Sequence, residues 1–159
     1  MLPRPIPPRV NLDPDTRAII ELLQQDGRRP YSEIAHQLGL EVGVVEHRVV
    51  GLLEAEVIQI VAVTDPLQLG FGRQAMVGVT VDGPAKAVAL ELARIEEVDY
   101  VVLTSGGFDI LAEVVGRSDA HLLELISGRI RTIRGVTAIQ TLLYLELQKQ
   151  TYAWGVHEE

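Results

Sequence analysis

YSEIAHQLGLEVGVVEHRVVGLLEA, residues 31–55, decides the first half of the fold. Ile34, Ala35 and Leu38 recur at helical spacing, and so do Val45, Val49 and Leu52. Between the two sets Leu38-Gly39-Leu40 breaks the period, and glycine is the residue that ends helices in a left-handed cap. The small Ala35 and Gly39 predict a close crossing of the two helices. The second helix is expected to start at Ser32 with Glu33 close behind, and the third to run from about Val42 to Ala55. Upstream, Asp13, Pro14 and Asp15 form a helix start: a capping carboxylate, a proline whose missing N–H is not needed, and an acid in the first turn. Ile19, Ile20, Leu22 and Leu23 give that helix its apolar stripe, and Asp26-Gly27 predicts its end with glycine as the cap. Three helices with this turn predict a helix-turn-helix, although any three-helix bundle with a glycine turn shares the spacing.

Downstream, residues 57–63 (VIQIVAV) are β-branched at most positions and predict a strand. Thr64-Asp65-Pro66 and Gly70-Phe71-Gly72 mark a domain boundary. Then strands are expected at 75–81, 98–104, 108–115 and 136–147, and helices at 84–95 and 119–133, the latter capped by Asp119. The order β-α-β-β-α-β is the ferredoxin-like plan, an antiparallel sheet with two helices on one face. The fold class is therefore α+β: a helix-turn-helix domain (12–58), a hinge strand and linker (59–73) and a ferredoxin-like domain (74–149). They are flanked by a proline-rich arm (1–11) and a tail (150–159) that holds Trp154. The second sheet face, rich in Val, Leu and Ile, is expected to be covered by another subunit.

The chain has no cysteine, so disulfides, thiolate metal sites and cysteine nucleophiles are excluded together. No run of 18 apolar residues suits a membrane span, and no signal pattern stands at the N-terminus, so a cytoplasmic protein with no membrane partner is expected. Net charge is −8, which argues against bulk electrostatic retention on nucleic acid. Neither half is basic: residues 1–58 carry six arginines against nine acids, and residues 59–159 eight basic residues against thirteen acids.

Several stretches in order resemble the Lrp/AsnC (feast/famine) transcriptional regulators: residues 12–28 (LDPDTRAIIELLQQDGR), 31–40 (YSEIAHQLGL), 45–58 (VEHRVVGLLEAEVI), 65–71 (DPLQLGF), 104–110 (TSGGFDI) and 133–145 (IRGVTAIQTLLYL). The resemblance implies an N-terminal winged-helix-type DNA-binding domain and a C-terminal domain that binds an amino acid or similar effector where subunits meet. It also implies dimers that assemble further, to tetramers or octamers. The sequence departs from the family at the reading helix: Glu41 stands where Ser is usual, Gly51 where a basic residue is usual, and Glu56 where Gly is expected.

On double-stranded DNA the candidate contacts are Arg28, Arg29, His36, Gly43, Glu46, His47, Arg48 and Val50. Arg28 and Arg29 precede the second helix and suit phosphates, or form a solvated turn pair. Arg48 has two readings, a groove contact or an ion pair with acids of the first helix. The acidic reading helix weakens the DNA reading, and the rival is an oligomeric sensor whose helix-turn-helix no longer grips DNA. For the effector, the candidates are Thr104, Ser105, Gly106, Gly107, Phe108 and Asp109, with Thr137, Gln140 and Thr141 on the sheet. Paired glycines bare backbone N–H groups to a carboxylate, and Asp109 suits an α-ammonium group. The bland alternative is a two-residue hairpin with Asp109 on the strand surface. His36, His47, His121 and His157 lack metal-ligand spacing, Glu96 and Glu97 read as solvated turn residues, and no catalytic constellation is present. No metal, cofactor or enzymatic activity is expected.

Overall fold

A computed structural model of the chain describes residues 12–151. The expectations for the arm at 1–11 and for Trp154 lie outside these residues. The chain divides into two units, Thr64–Gln148 and, of the described residues, 12–63 with 149–151.

The helical unit holds α1 (Pro14–Gln25), α2 (Tyr31–Leu38) and α3 (Val42–Glu54). Asp13 caps α1 as expected: its Oδ1 accepts from the Thr16 N–H at 3.2 Å. The three stripes meet in one core of Ile19, Leu22, Leu23, Ile34, Ala35, Val45 and Val49. Burying each of the larger ones contributes roughly 1.5–3 kcal/mol. Details differ from the sequence expectation. α2 starts at Tyr31, one residue before Ser32, with Pro30 at the cap position. Gly39 has φ 68°, but a Cβ there would meet nothing within 4 Å, so its backbone angle rather than a close helix crossing calls for glycine. α1 ends on an extended Asp26, and Gly27 is not left-handed; a Cβ on Gly27 would lie 3.4 Å from Ile60 Cγ2, so glycine gives the returning chain room. Residues 57–63 form no strand, because a strand needs a partner ladder and none exists among the described residues. Glu56 is the single non-glycine residue with positive φ (54°) among the described residues.

The second unit opens with a short 3-10 turn (Pro66–Leu69), followed by β1 (Arg73–Val81), α4 (Ala85–Leu92), β2 (Val98–Leu103), β3 (Ile110–Gly116), α5 (Asp119–Glu124) and β4 (Val136–Leu143). The sheet order is β2-β3-β1-β4 and every pair is antiparallel. Strand side chains alternate between faces. Ala75, Val77, Val79, Ile110, Ala112 and Val114 therefore point one way, onto Val88, Leu92, Leu122, Leu125 and Ile130 from the helices. This is the βαββαβ plan expected from the pattern. The cap of α5 is Ser118, whose Oγ accepts from the His121 N–H, and not Asp119, whose carboxylate is taken by Arg73. The helix expected over 119–133 passes at Leu125 into a π-helical turn, Leu125–Ile130. That turn brings Leu125 and Ile130, five apart, onto the same buried side. β4 ends at Leu143, four residues short of the expected end.

Candidate functional site

Two groups of candidate residues lie in different units. In the helical unit the inward stripe of α3 leaves Gly43, Glu46, His47 and Val50 exposed. Arg48 does not join them. Its Nη1 donates to both carboxylate oxygens of Asp13 (2.5 and 2.6 Å) and to Thr16 Oγ1, and its Nη2 lies 3.6 Å from Asp15. Hydrogen bonding from Arg48 and then Thr16 holds the Asp13 carboxyl well below the usual carboxylate range. Of the two readings open for Arg48, the structure takes the ion pair: it ties α3 to the start of α1. Arg28 is exposed and its guanidinium has no partner among the described residues. Arg29 lies along α2, with Nη1 3.4 Å from Gln37 Oε1 and Nε 3.8 Å from Glu33. His36 is exposed in the last turn of α2. At the start of α3, Glu41 occupies the cap position but makes no side-chain capping bond.

In the sheet unit the loop between β2 and β3 is six residues, Thr104 to Asp109, and not a two-residue hairpin. It is closed from inside. The Thr104 N–H donates to the Asp109 carbonyl (2.9 Å), and Thr104 Oγ1 donates to the Phe108 carbonyl. Asp109 donates its N–H to the Val79 carbonyl (3.0 Å), and its Oδ2 accepts from the Val81 N–H at 2.8 Å. One carboxylate oxygen of Asp109 is thus occupied by the fold, and no group among the described residues donates to Oδ1. Ser105, Gly106 and Gly107 are exposed.

Phe108 lies on the sheet face opposite α4 and α5. Its ring rests on Gly78 so closely that a Cβ there would sit 2.7 Å from two ring carbons. Gln140 pairs with Gly78 across β1–β4 and so shares that face. Thr141, one residue on, points to the other face, where it lines a cleft with Leu122, Leu123, Ile126 and Leu143. Grouping Thr141 with Gln140 is corrected on this point, because adjacent strand residues face opposite ways. Thr137 sits at the β1–β4 register shift, and its Oγ1 donates to the Thr80 carbonyl at 3.0 Å. The structure thus brings Thr104 through Asp109, Thr137 and Gln140 to one end of the sheet, with Phe108 and Gln140 on one face, and leaves Thr141 on the other.

Sequence reasoning missed several contacts. Gly78 was read only as a strand residue, and a glycine inside a strand is itself a signal of close approach. On the same open face Glu113 accepts from Gln74 Nε2 at 2.8 Å. Burial, and then the Glu113 charge, push the Tyr144 phenol up to about 12. Glu97 is not solvated: its carboxylate bridges Arg129 (2.7 Å) and His121 (3.4 Å). Burial pushes the Glu97 carboxyl up, but its backbone hydrogen bond and Arg129 outweigh that and leave it below its ordinary value. Among the described residues no cluster of three or more His, Asp or Glu could hold a metal ion. No helix among them is long and apolar enough to cross a membrane.

The chain matches two family descriptions, the AsnC-type helix-turn-helix domain over residues 12–53 and the Lrp/AsnC ligand binding domain over residues 74–154. An uncharacterized HTH-type transcriptional regulator of Pyrococcus furiosus is 33% identical over 144 residues, which cover 89% of this chain and 97% of the relative. The solved structure of E. coli AsnC superposes with a TM-score of 0.82 at 26% identity, covering 91% of this chain and 99% of that one. A transcriptional regulator of Neisseria meningitidis, solved as an L-Met complex, gives a TM-score of 0.83 at 21% identity, over 91% of this chain and 96% of the other. That level of identity speaks to the fold alone. With both halves matched in order, the chain belongs to the Lrp/AsnC family of helix-turn-helix transcriptional regulators, joining a DNA-binding domain to a ligand-binding domain.

Proposed function

We propose that this regulator binds double-stranded DNA as a homodimer or a larger even assembly, and that an amino acid or related metabolite alters its assembly or its DNA affinity. In this reading residues 12–58 touch DNA, with Arg28 at a phosphate and α3 in the major groove. Residues 74–149 hold the subunits and the effector, and no catalytic step is involved.

The observation that carries the proposal is the bare face of the sheet. Opposed strand residues put Met76, Leu111, Val102, Tyr100 and Leu142 on it, and Tyr100 and Leu142 are half exposed. An apolar face of this kind marks an interaction site. The 104–109 loop is pinned to the same face through Phe108 on Gly78, so a second copy covering the face would meet the loop. There the exposed glycine N–H groups suit a carboxylate. Oδ1 of Asp109 and the Gln140 amide suit an ammonium group and a polar side chain. The L-Met bound by the Neisseria relative supports an amino acid as the class of effector. The extended residues Ile60, Val61 and Val63, all exposed, add a second apolar surface for assembly.

Light scattering after size exclusion tests the assembly, and a stable monomer in dilute buffer overturns it. Gel shifts with DNA flanking the protein's own gene test the DNA arm. Binding should weaken with salt, and Arg28→Ala should lower affinity and flatten the salt dependence. A thermal-shift panel of amino acids tests the effector, with Gln140→Ala expected to lose the response without loss of fold. Absence of any shift across the panel overturns the effector arm.

A further inference from the structure

We propose that α3 reads its operator chiefly through thymine methyl groups, with Val44 and Val50 as the contacting side chains. The inference rests on the DNA-binding reading above. Successive helical residues turn about 100° around the axis. With Val45, Val49 and Leu52 inward, the opposite side is therefore Gly43, His47, Val50 and Glu54, with Val44 and Glu46 on its two flanks. Val44 and Val50 are 41% and 42% exposed and lie outside the buried core of the helical unit. Arg48, the one Arg or Lys of the helix, is turned onto Asp13, Asp15 and Thr16. α3 thus presents no arginine for the bidentate arginine–guanine pair that is the commonest specific contact.

What remains on the outward side is two branched aliphatic groups, an imidazole and carboxylates. In the major groove an aliphatic group matches the C5 methyl of thymine, and a carboxylate accepts from the cytosine N4 amine. Glu46 disfavours guanine, whose major-groove edge carries only acceptors. Gly43 fits this use. A Cβ there would meet nothing within 4 Å, so the fold sets no demand for glycine, and the missing side chain leaves the first turn bare for close approach. The occupant is DNA rather than a protein. The patch runs from Val44 in the first turn to Val50 in the third turn of the second helix of a helix-turn-helix, the helix this motif lays in the major groove.

The test uses the full-length protein. A random duplex library is first selected at low salt. Thymines of the selected half-site are then replaced by uracil, which keeps pairing and removes only the methyl. Affinity should fall about fourfold for each contacted methyl, from about 0.8 kcal/mol per buried carbon. Val44→Ala and Val50→Ala should lower affinity for the thymine duplex and leave that for the uracil duplex nearly unchanged, so the ratio moves toward one. Equal affinity of the parent protein for both duplexes overturns the inference while the DNA-binding reading stands. A thymine preference that survives both substitutions overturns it as well. Failure to select any duplex overturns the DNA-binding reading itself. If Val50→Ala then changes the assembly mass, the face belongs to a protein contact.

Discussion

Gly78→Ala tests how the candidate ligand loop is fastened to the sheet. The added Cβ would lie 2.7 Å from Cδ1 and Cε1 of Phe108 and 2.8 Å from Cγ. Carbon contacts are comfortable at about 3.5–4.0 Å, so the ring must retreat by about 1 Å. The backbone beneath the ring cannot follow freely. The Phe108 carbonyl is held by Thr104, and Asp109 is tied to Val79 and Val81. The ring must leave its seat, and overpacking of this kind costs about 1–3 kcal/mol. Alanine is favoured over glycine in a strand by about 0.5–1 kcal/mol, which offsets part of the loss. Net destabilisation should be roughly 0.5–2 kcal/mol. Phe108→Ala alone should cost roughly 2 kcal/mol, since the ring is only partly buried. In the double variant the methyl has no ring to strike, so Gly78→Ala should then stabilise. The coupling energy equals the overpacking loss, about 1–3 kcal/mol. Urea unfolding of the four proteins at one fixed concentration measures it, because any linked assembly shifts apparent stability. Costs that add within about 0.5 kcal/mol would refute the claimed contact.

Three further outcomes follow from single residues. Glu56→Gly relieves a left-handed backbone angle and should raise stability by about 1 kcal/mol in thermal unfolding; a loss would show that the contacts of Glu56 outweigh its strain. Gly51→Ala adds a Cβ with nothing within 4 Å inside α3, so helix propensity alone should stabilise by about 1 kcal/mol, read by the same melt. The Asp13 carboxyl is depressed in the folded state, foremost by Arg48, so the stability it contributes is complete above about pH 4 and is lost as pH falls through its lower folded value. Asp13→Asn keeps a capping side chain and should flatten that acid limb of the helical circular-dichroism signal; an unchanged limb would remove the carboxylate from the account.

What the sequence disclosed was local. Asp13-Pro14 needs partners no more than three residues away, so its cap could be read directly. The alternation of β1 and β3 set their buried face because period two has only two phases. The features that escaped depend on distant or external partners. Phe108 finds Gly78 thirty residues earlier, and the same TSGGFDI letters would fit a free hairpin. Gln140 and Thr141 looked interchangeable as polar neighbours until the register with Gly78 and Val77 put them on opposite faces. Residues 57–63 have strand composition, but a ladder belongs to two segments, and composition describes one.

Arg48 shows the same limit in electrostatic form. The letters place one cation in an acidic reading helix and leave open whether it faces outward. Asp13, 35 residues away in the chain, lies within 2.5 Å of it. Net charge therefore misjudges α3 in both directions. Its outward side is less cationic than the count of one arginine implies, since that charge is neutralised inside the domain. It is also less purely repulsive than the glutamates suggest, since Val44, Gly43 and Val50 leave an uncharged strip along it. On the proposed reading, affinity beyond the methyl contacts of α3 comes from Arg28 and from the number of domains presented at once. On that reading the bare sheet face, as the proposed contact between copies, is as important to DNA binding as the helix that would enter the groove.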